Sequence, residues 1–449
     1  MRKTIYITLL ALLSGCGIYK PYSRPGTELP EQYRDINTDD TTTLAALPWK
    51  ELFTDEHLQT LIETGLQQNT DLQVARLRVK EADALLLNAR LSYLPALSLS
   101  PEGGISSYNG TTSKTYNLAA SANWELDIFG KTTNAKRGAK AALLGSREYA
   151  QAVQTQLIAN IAGKYYTLLM LDRQLEIGEE TLQSWEKSIK VLEALKASGK
   201  ANDAAVLQAR ANRMTLESSV LTLRKNITDT ENALSVLLAL SPQEIERGRI
   251  ADVRFPDELK VGVPAQLLSN RPDVRQAEQN LAQAFYATNA ARASFYPSVN
   301  LSGSIGWSNN GGGVITNPGS WLMSAIGSLV QPLFNRGTNI ANLKIAKARQ
   351  EEAMLLFRQS LLGAGNEVNA ALTQWQTARQ QIEVCNRKID TLQEAVRKTE
   401  LLMRHSTSTY LEVLTAQQAL LDAEQQQVQY IFDCVQGVIN LYHALGGGA

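Results

Sequence analysis

The chain of 449 residues is poor in the side chains that carry chemistry, with three cysteines and three histidines. Apart from Cys16, the two remaining cysteines, Cys385 and Cys434, offer no framework for an exported disulfide fold, and His57, His405 and His443 are each isolated. No HExxH or Cys/His metal spacing occurs, no glycine-rich phosphate loop follows a strand pattern, and Gly-x-Ser-x-Gly is missing. These absences leave no carrier for catalysis, so the reading is of a protein that is not an enzyme and holds no metal or cofactor. Charge excess is lacking too: 44 Lys and Arg face 44 Asp and Glu, which argues against a nucleic-acid partner. Beyond Cys16 no apolar run approaches 18 residues, so no transmembrane helix is expected there.

What is present begins at the N-terminus. Arg2 and Lys3 precede an apolar run from Ile5 to Leu13, too short to span a bilayer, and then Leu13-Ser14-Gly15-Cys16. A charged start, a short apolar stretch and small residues before a cut describe a secretory signal over 1–15. The Leu-Ser-Gly-Cys ending resembles the bacterial lipobox, which implies a covalent lipid on Cys16. Residues 16–51 read as an anchor followed by an extended, weakly ordered leader, polar and bearing Pro21, Pro25 and Pro30.

The body is organised around a long helical stretch from Ile340 to His405. Met354, Leu361, Val368, Trp375, Ile382, Ile389, Val396 and Met403 recur every seven residues. Ala364, Ala371, Ala378, Cys385 and Leu392 follow three places behind most of them. This is an a/d heptad seam on a helix of roughly 100 Å, so Trp375 and Ile382 are expected to be buried between helices. The pattern also repeats. Asp71 pairs with Asp273 and Pro95 with Pro297, 202 residues on. Phe129 pairs with Phe334 at an offset of 205, and Val206-Leu207 with Val413-Leu414 at 207. Slow drift of the offset marks an internal duplication, with halves at 52–240 and 264–446 and a connector at 241–263.

Each half reads as helix, proline, strand, loop, strand, very long helix, turn, helix. Strands are expected over about 96–128 and about 298–333. Leu118, Ala120, Ala122, Trp124 and Leu126 alternate with Asn117, Ala119, Ser121, Asn123 and Glu125, and Val299, Leu301, Ile305 and Trp307 with Asn300, Ser302, Ser304 and Gly306. Period-two alternation with one wholly apolar face is a strand signature. It suits a soluble sheet as well as a membrane barrel; the export signal, the lipobox and the strand length favour the barrel. Four strands cannot close one, since bacterial barrels need at least about eight, and open edges do not survive in lipid, so several copies must pool their strands.

Leu268-Ser269-Asn270-Arg271-Pro272-Asp273, Phe295-Tyr296-Pro297, Pro332-Leu333-Phe334 and Tyr410-Leu411-Glu412-Val413-Leu414, in this order and on a duplicated frame, resemble the outer-membrane efflux factor (TolC-like) family in its lipoprotein branch. The resemblance implies a mostly α fold with a membrane β-barrel. Duplicated helix–hairpin–long helix–helix halves would form, as a homotrimer, a twelve-stranded barrel on a long α-helical periplasmic tunnel. It implies an outer-membrane exit duct of a tripartite efflux system, conducting drugs, detergents or metal ions passively. The implied partners are a periplasmic adaptor (membrane fusion) protein, an inner-membrane resistance–nodulation–division type transporter and outer-membrane lipid. It further implies a periplasmic gate at Leu411, where three apolar side chains would meet on the axis. Thr415 stands where relatives often carry aspartate, and Glu412 is the other acidic candidate, about 100° round the helix from Leu411 and equally suited to face an adaptor. Two other classes stay open: an exit duct for proteins in type I secretion, and a periplasmic coiled-coil scaffold without a pore.

Overall fold

The computed structural model describes residues 19, 21–26, 42–199, 201–255, 259–309, 320–404 and 410–448. The lipobox with Cys16, His405 and the turn at 406–409 lie outside them. The element order is α1 (Glu56–Gln68), α2 (Thr70–Leu91), β1 (Ala96–Tyr108), β2 (Thr111–Leu126), α3 (Lys131–Ala197) and α4 (Asp203–Leu237). It continues with α5 (Pro272–Ala293), β3 (Ser298–Ser308), β4 (Ser320–Val330), α6 (Thr338–Arg404) and α7 (Tyr410–Ala444). The duplication is visible in the lengths: α2 and α5 have 22 residues each, α3 and α6 have 67, and α4 and α7 have 35.

The chain divides into two compact units, one of 1–27, 76–148 and 275–360, the other of 28–75, 149–274 and 361–449. The first contains an antiparallel sheet in the order β1-β2-β3-β4. Asn109 and Gly110 join β1 to β2 with φ of 49° and 80°, the left-handed pair that a two-residue type I′ hairpin demands. Gly306 is required by strand contact, because a Cβ there would lie 2.2 Å from the Leu118 carbonyl oxygen. β4 stops at Val330, short of the expected end at 333, since Pro332 has no N–H to extend a ladder. Beyond β2, the Asp127 carboxylate accepts from the backbone N–H groups of Thr132 (2.8 Å) and Thr133 (2.7 Å) and so starts α3.

The leader is extended over 21–26 but tied down. Arg24 donates twice to Glu278 on α5 (2.8 and 2.6 Å), and the Tyr22 ring meets Phe285 edge-on at 5.8 Å. Burial, ahead of the Glu278 carboxylate, pushes the Tyr22 hydroxyl up to about 12. The polar composition of this stretch does not reveal partners more than 250 residues away, because composition is local.

The second unit is helical. Asn69 serves two helices at once: its side-chain oxygen accepts from Leu72 N–H at the start of α2 (2.9 Å), and its amide donates to the Leu237 carbonyl at the end of α4 (2.9 Å). Asn202 caps α4 by accepting from Ala205 N–H (2.8 Å). The described residues of the connector form no α-helix but are clamped: Arg247 donates to both Asp172 oxygens (2.5 and 3.0 Å) and to Glu231 (2.5 Å), and the Tyr165 hydroxyl bridges Asp55 and the Gly248 N–H.

The α6 seam buries Leu361, Ala364, Val368, Ala371, Ala378, Cys385 and Ile389. Trp375 and Ile382 depart from expectation, being half-buried and lining a cavity of about 390 Å³. Gly437 on α7 packs against the Trp375 backbone, and the indole lies under the Arg379 guanidinium, 4.9 Å away.

Candidate functional site: a two-faced sheet and a helical tip

In the sheet, register decides which side chains share a face. Leu97 pairs with Ala122, Leu99 with Ala120, and Pro101 with Leu118. Leu118 pairs with Trp307, Ala120 with Ile305 and Trp124 with Leu301, and β4 adds Trp321, Met323 and Leu329 opposite Trp307, Ile305 and Val299. This face is apolar except toward the β1–β2 hairpin, where Lys114 stands opposite Ile105, and in one chain it is open: Leu97, Ile105 and Met323 are among its exposed side chains. The opposite face is hydroxyl- and amide-rich. Ser98 meets Ser121 (2.7 Å) and Ser304 meets Ser324 (2.8 Å), hydroxyl to hydroxyl, with Asn117, Asn123, Asn300 and Ser302 around them. Its strand charges among the described residues are the carboxylates Glu102 and Glu125, the latter 2.9 Å from Lys131.

Aromatic pairs bracket the sheet. Trp307 and Trp321 sit 4.7 Å apart at the loop end, and Phe129 stacks on Tyr296 at 5.0 Å beyond the other end. Eleven residues of β3 extend about 36 Å, or about 28 Å in height at a tilt of 40°, close to an outer-membrane apolar band. β1 and β4 each leave one edge unpaired among the described residues. No helix among the described residues is long and apolar enough to cross a membrane.

In the helical unit, α7 opens with the gate candidates. Val413 and Leu414 are buried on one side, while Leu411 is 61% exposed and Glu412 and Thr415 are exposed on the other. The Thr415 hydroxyl donates to the Leu411 carbonyl (2.9 Å), which places the two on one face in successive turns. The structure thus groups Leu411 with Thr415 and sets Glu412 beside them; Cys16 lies outside the described residues.

Sequence reading singled out Arg271 only as part of a motif. The guanidinium is buried, forks onto Asp273 (2.8 and 2.5 Å), and reaches Glu367 (2.5 Å) and the Ala444 carbonyl (3.1 Å). It thereby ties the start of α5 to α6 and to the end of α7. Burial raises the Asp273 carboxyl, but the bond from Arg271 and its charge outweigh this and hold it below the usual range. Burial, with the Arg271 charge, depresses His443. The signal in sequence was the Arg-Pro-Asp run opening a helix, whose partners at 367 and 444 no local pattern gives.

Comparison with known proteins agrees with this geometry. The chain is 30% identical over 449 residues to the cation efflux system protein CusC of Escherichia coli (strain K12), covering 97% of each. It is 30% identical to the probable outer membrane lipoprotein SilC of Salmonella typhimurium, over 99% of this chain and 98% of that one. The structure of the open state of the Neisseria gonorrhoeae MtrE outer membrane channel matches with a TM-score of 0.88 at 26% identity, covering 96% of this chain and 98% of that one. The outer membrane efflux protein family matches residues 61–240 and again 263–447, once in each half, and the chain belongs to that family.

Proposed function

We propose that three copies of the chain form the outer-membrane exit duct of a tripartite efflux system. The observation that carries this reading is the sheet: one exposed apolar face, one polar face and two edges unpaired among the described residues. Lipid covers the first face, water fills the second, and a neighbouring copy closes each edge, so that three sheets make twelve strands. A scaffold without a pore has no use for such a sheet. The long helices wall the passage on the periplasmic side, where an adaptor protein and an inner-membrane transporter of the resistance–nodulation–division type hand over the cargo. Conduction is passive, through a duct lined by hydroxyls, amides and the carboxylates of Glu102 and Glu125. CusC is named for cation efflux, and a relative 28% identical, from Pseudomonas putida, is named for toluene efflux. A lining of Ser and Asn suits hydrated metal ions and small organic molecules alike.

Two further assignments belong to the same reading. Cys16 carries the lipid that holds the leader at the membrane, and Leu411 forms the apolar constriction with Thr415 and Glu412 at its rim. The halves 52–240 and 264–446 are the repeated unit. Purified full-length protein in planar bilayers tests the duct. Discrete, ohmic channels are expected; protein that inserts into the bilayer without conducting contradicts it.

A further inference from the structure

The connector meets equivalent places in the two halves, and their chemistry is opposite. Because α3 and α6, and likewise α4 and α7, match in length, each residue of the first pair has a counterpart 207 positions on. In the first half, Asp172 of α3 and Glu231 of α4 together hold the Arg247 guanidinium of the connector, 2.5 Å from each. The counterpart of Asp172 is Arg379, and that of Glu231 is Val438. Both line the cavity of about 390 Å³ beside Trp375, facing the connector residues Ile250 to Phe255. A place built for a cation in one half thus carries a cation of its own and an apolar wall in the other.

The apolar wall is made by Ile250 and Phe255 of the connector, Trp375 and Ile382 of α6, and Ile431 and Val435 of α7. Two guanidiniums, Arg254 and Arg379, line the cavity against one carboxylate, Glu383. Arg254 is held over its own turn, donating from Nη1 to the carbonyls of Ala251 (2.8 Å) and Val253 (2.9 Å). Arg379 is held over the Trp375 ring. The Cys434 thiol lines the same cavity: burial raises it, and the Arg379 charge acts on it in the opposite direction. Apolar walls with a few fixed charged groups, in a volume of this order, are the usual make-up of a small-molecule site. A guanidinium fork matches a carboxylate in particular, since it can donate to both oxygens at once.

We infer that this cavity binds an amphiphilic carboxylate of the fatty-acid class, its alkyl body against Trp375, Ile382, Ile431 and Val435 and its head at Arg379 and Arg254. A cationic amphiphile of the same length meets two like charges and one opposite charge there, and a neutral one gains apolar contact alone. The sign of the head group therefore decides binding. Such an occupant ties the connector to α6 and α7 in the second half, as Arg247 ties it to α3 and α4 in the first. The site lies between elements of a single chain, so it goes beyond the duct reading and stands or falls separately from it.

The Cys434 thiol reports occupancy in the unaltered protein. In full-length protein held in lipid nanodiscs, alkylation of Cys434 by N-ethylmaleimide is followed by peptide mass spectrometry. Cys385 is the internal control, buried with its thiol on the Ala423 carbonyl. Decanoate should slow alkylation of Cys434 several-fold and in a saturable way, while decyltrimethylammonium and decanol, of the same chain length, should leave the rate near its starting value. Absence of protection by decanoate, or equal protection by all three, would overturn the site. An Arg254→Gln, Arg379→Gln double variant should lose the decanoate effect relative to its own rate without ligand. Full protection by decanoate in that variant would contradict the role of the two guanidiniums and the inference with it.

Discussion

Gly437 on α7 rests directly on the backbone of Trp375 on α6: a Cβ at 437 would stand 3.0 Å from both the Trp375 nitrogen and its Cβ. Backbone cannot yield as a flexible side chain can. Gly437→Leu should therefore force the two helices apart, at a cost of about 3 kcal/mol from overpacking. Gly437→Ala should lose less, because alanine returns up to about 1 kcal/mol of helix propensity. Thermal melts of both variants check the order; equal melting temperatures for Gly437→Leu and wild type would contradict the close approach.

Arg271→Ala should be among the most damaging single substitutions in the helical unit. It strands the Asp273 carboxylate, removes a donor from Glu367, and leaves the Ala444 carbonyl at the end of α7 without its cap. The carboxylates left behind are partly exposed, so solvent screens them and the loss should be about 1–3 kcal/mol. Glu367→Gln should cost about 1 kcal/mol, since half of the Glu367 side chain is exposed. Denaturant titration separates the two.

Acid should weaken the same corner. The Asp273 carboxyl is held low in the folded chain, so its contribution is present above the unfolded value and lost as pH falls through the folded one. His443 is depressed as well, and protonating it also favours unfolding as pH falls below its ordinary value. Stability measured by chemical denaturation should decline from near-neutral pH downward, first through His443 and then through Asp273. His443→Gln should flatten the upper step and spare the lower; an unchanged profile in that variant would contradict the assignment.

The gate makes a prediction at the level of conductance. Leu411→Ala should raise single-channel conductance and admit larger solutes, with the oligomer intact. Glu412→Gln should reduce cation preference if its carboxylate rims the constriction. Unaltered conductance in Leu411→Ala moves the constriction to another turn.

Much of the fold was legible because its signals are local. Asn109-Gly110 between alternating runs fixes a hairpin, and Pro95 and Pro297 end their helices, each on its own chemistry. The duplication was legible because both halves kept their spacing. What escaped depends on distant residues: Glu278 holding Arg24, Glu367 and Ala444 meeting Arg271, Gly437 lying against the Trp375 backbone. The candidate site follows the same division. Alternation announced the two faces of the sheet, and the structure sets Leu411 exposed on α7, an exposure that the local sequence pattern alone does not give.

The central claim is that the sheet stands with one face in lipid and the other in water. Single cysteines along β3, from Val299 to Trp307, test it in outer-membrane vesicles of protein whose native thiols Cys385 and Cys434 are replaced by alanine. Labelling by a membrane-impermeant maleimide should alternate with period two. Cysteines replacing Asn300, Ser302 and Ser304 should react, and those replacing Val299, Leu301 and Ile305 should stay protected until detergent is added. Uniform labelling at successive positions would show water on both faces and contradict the barrel.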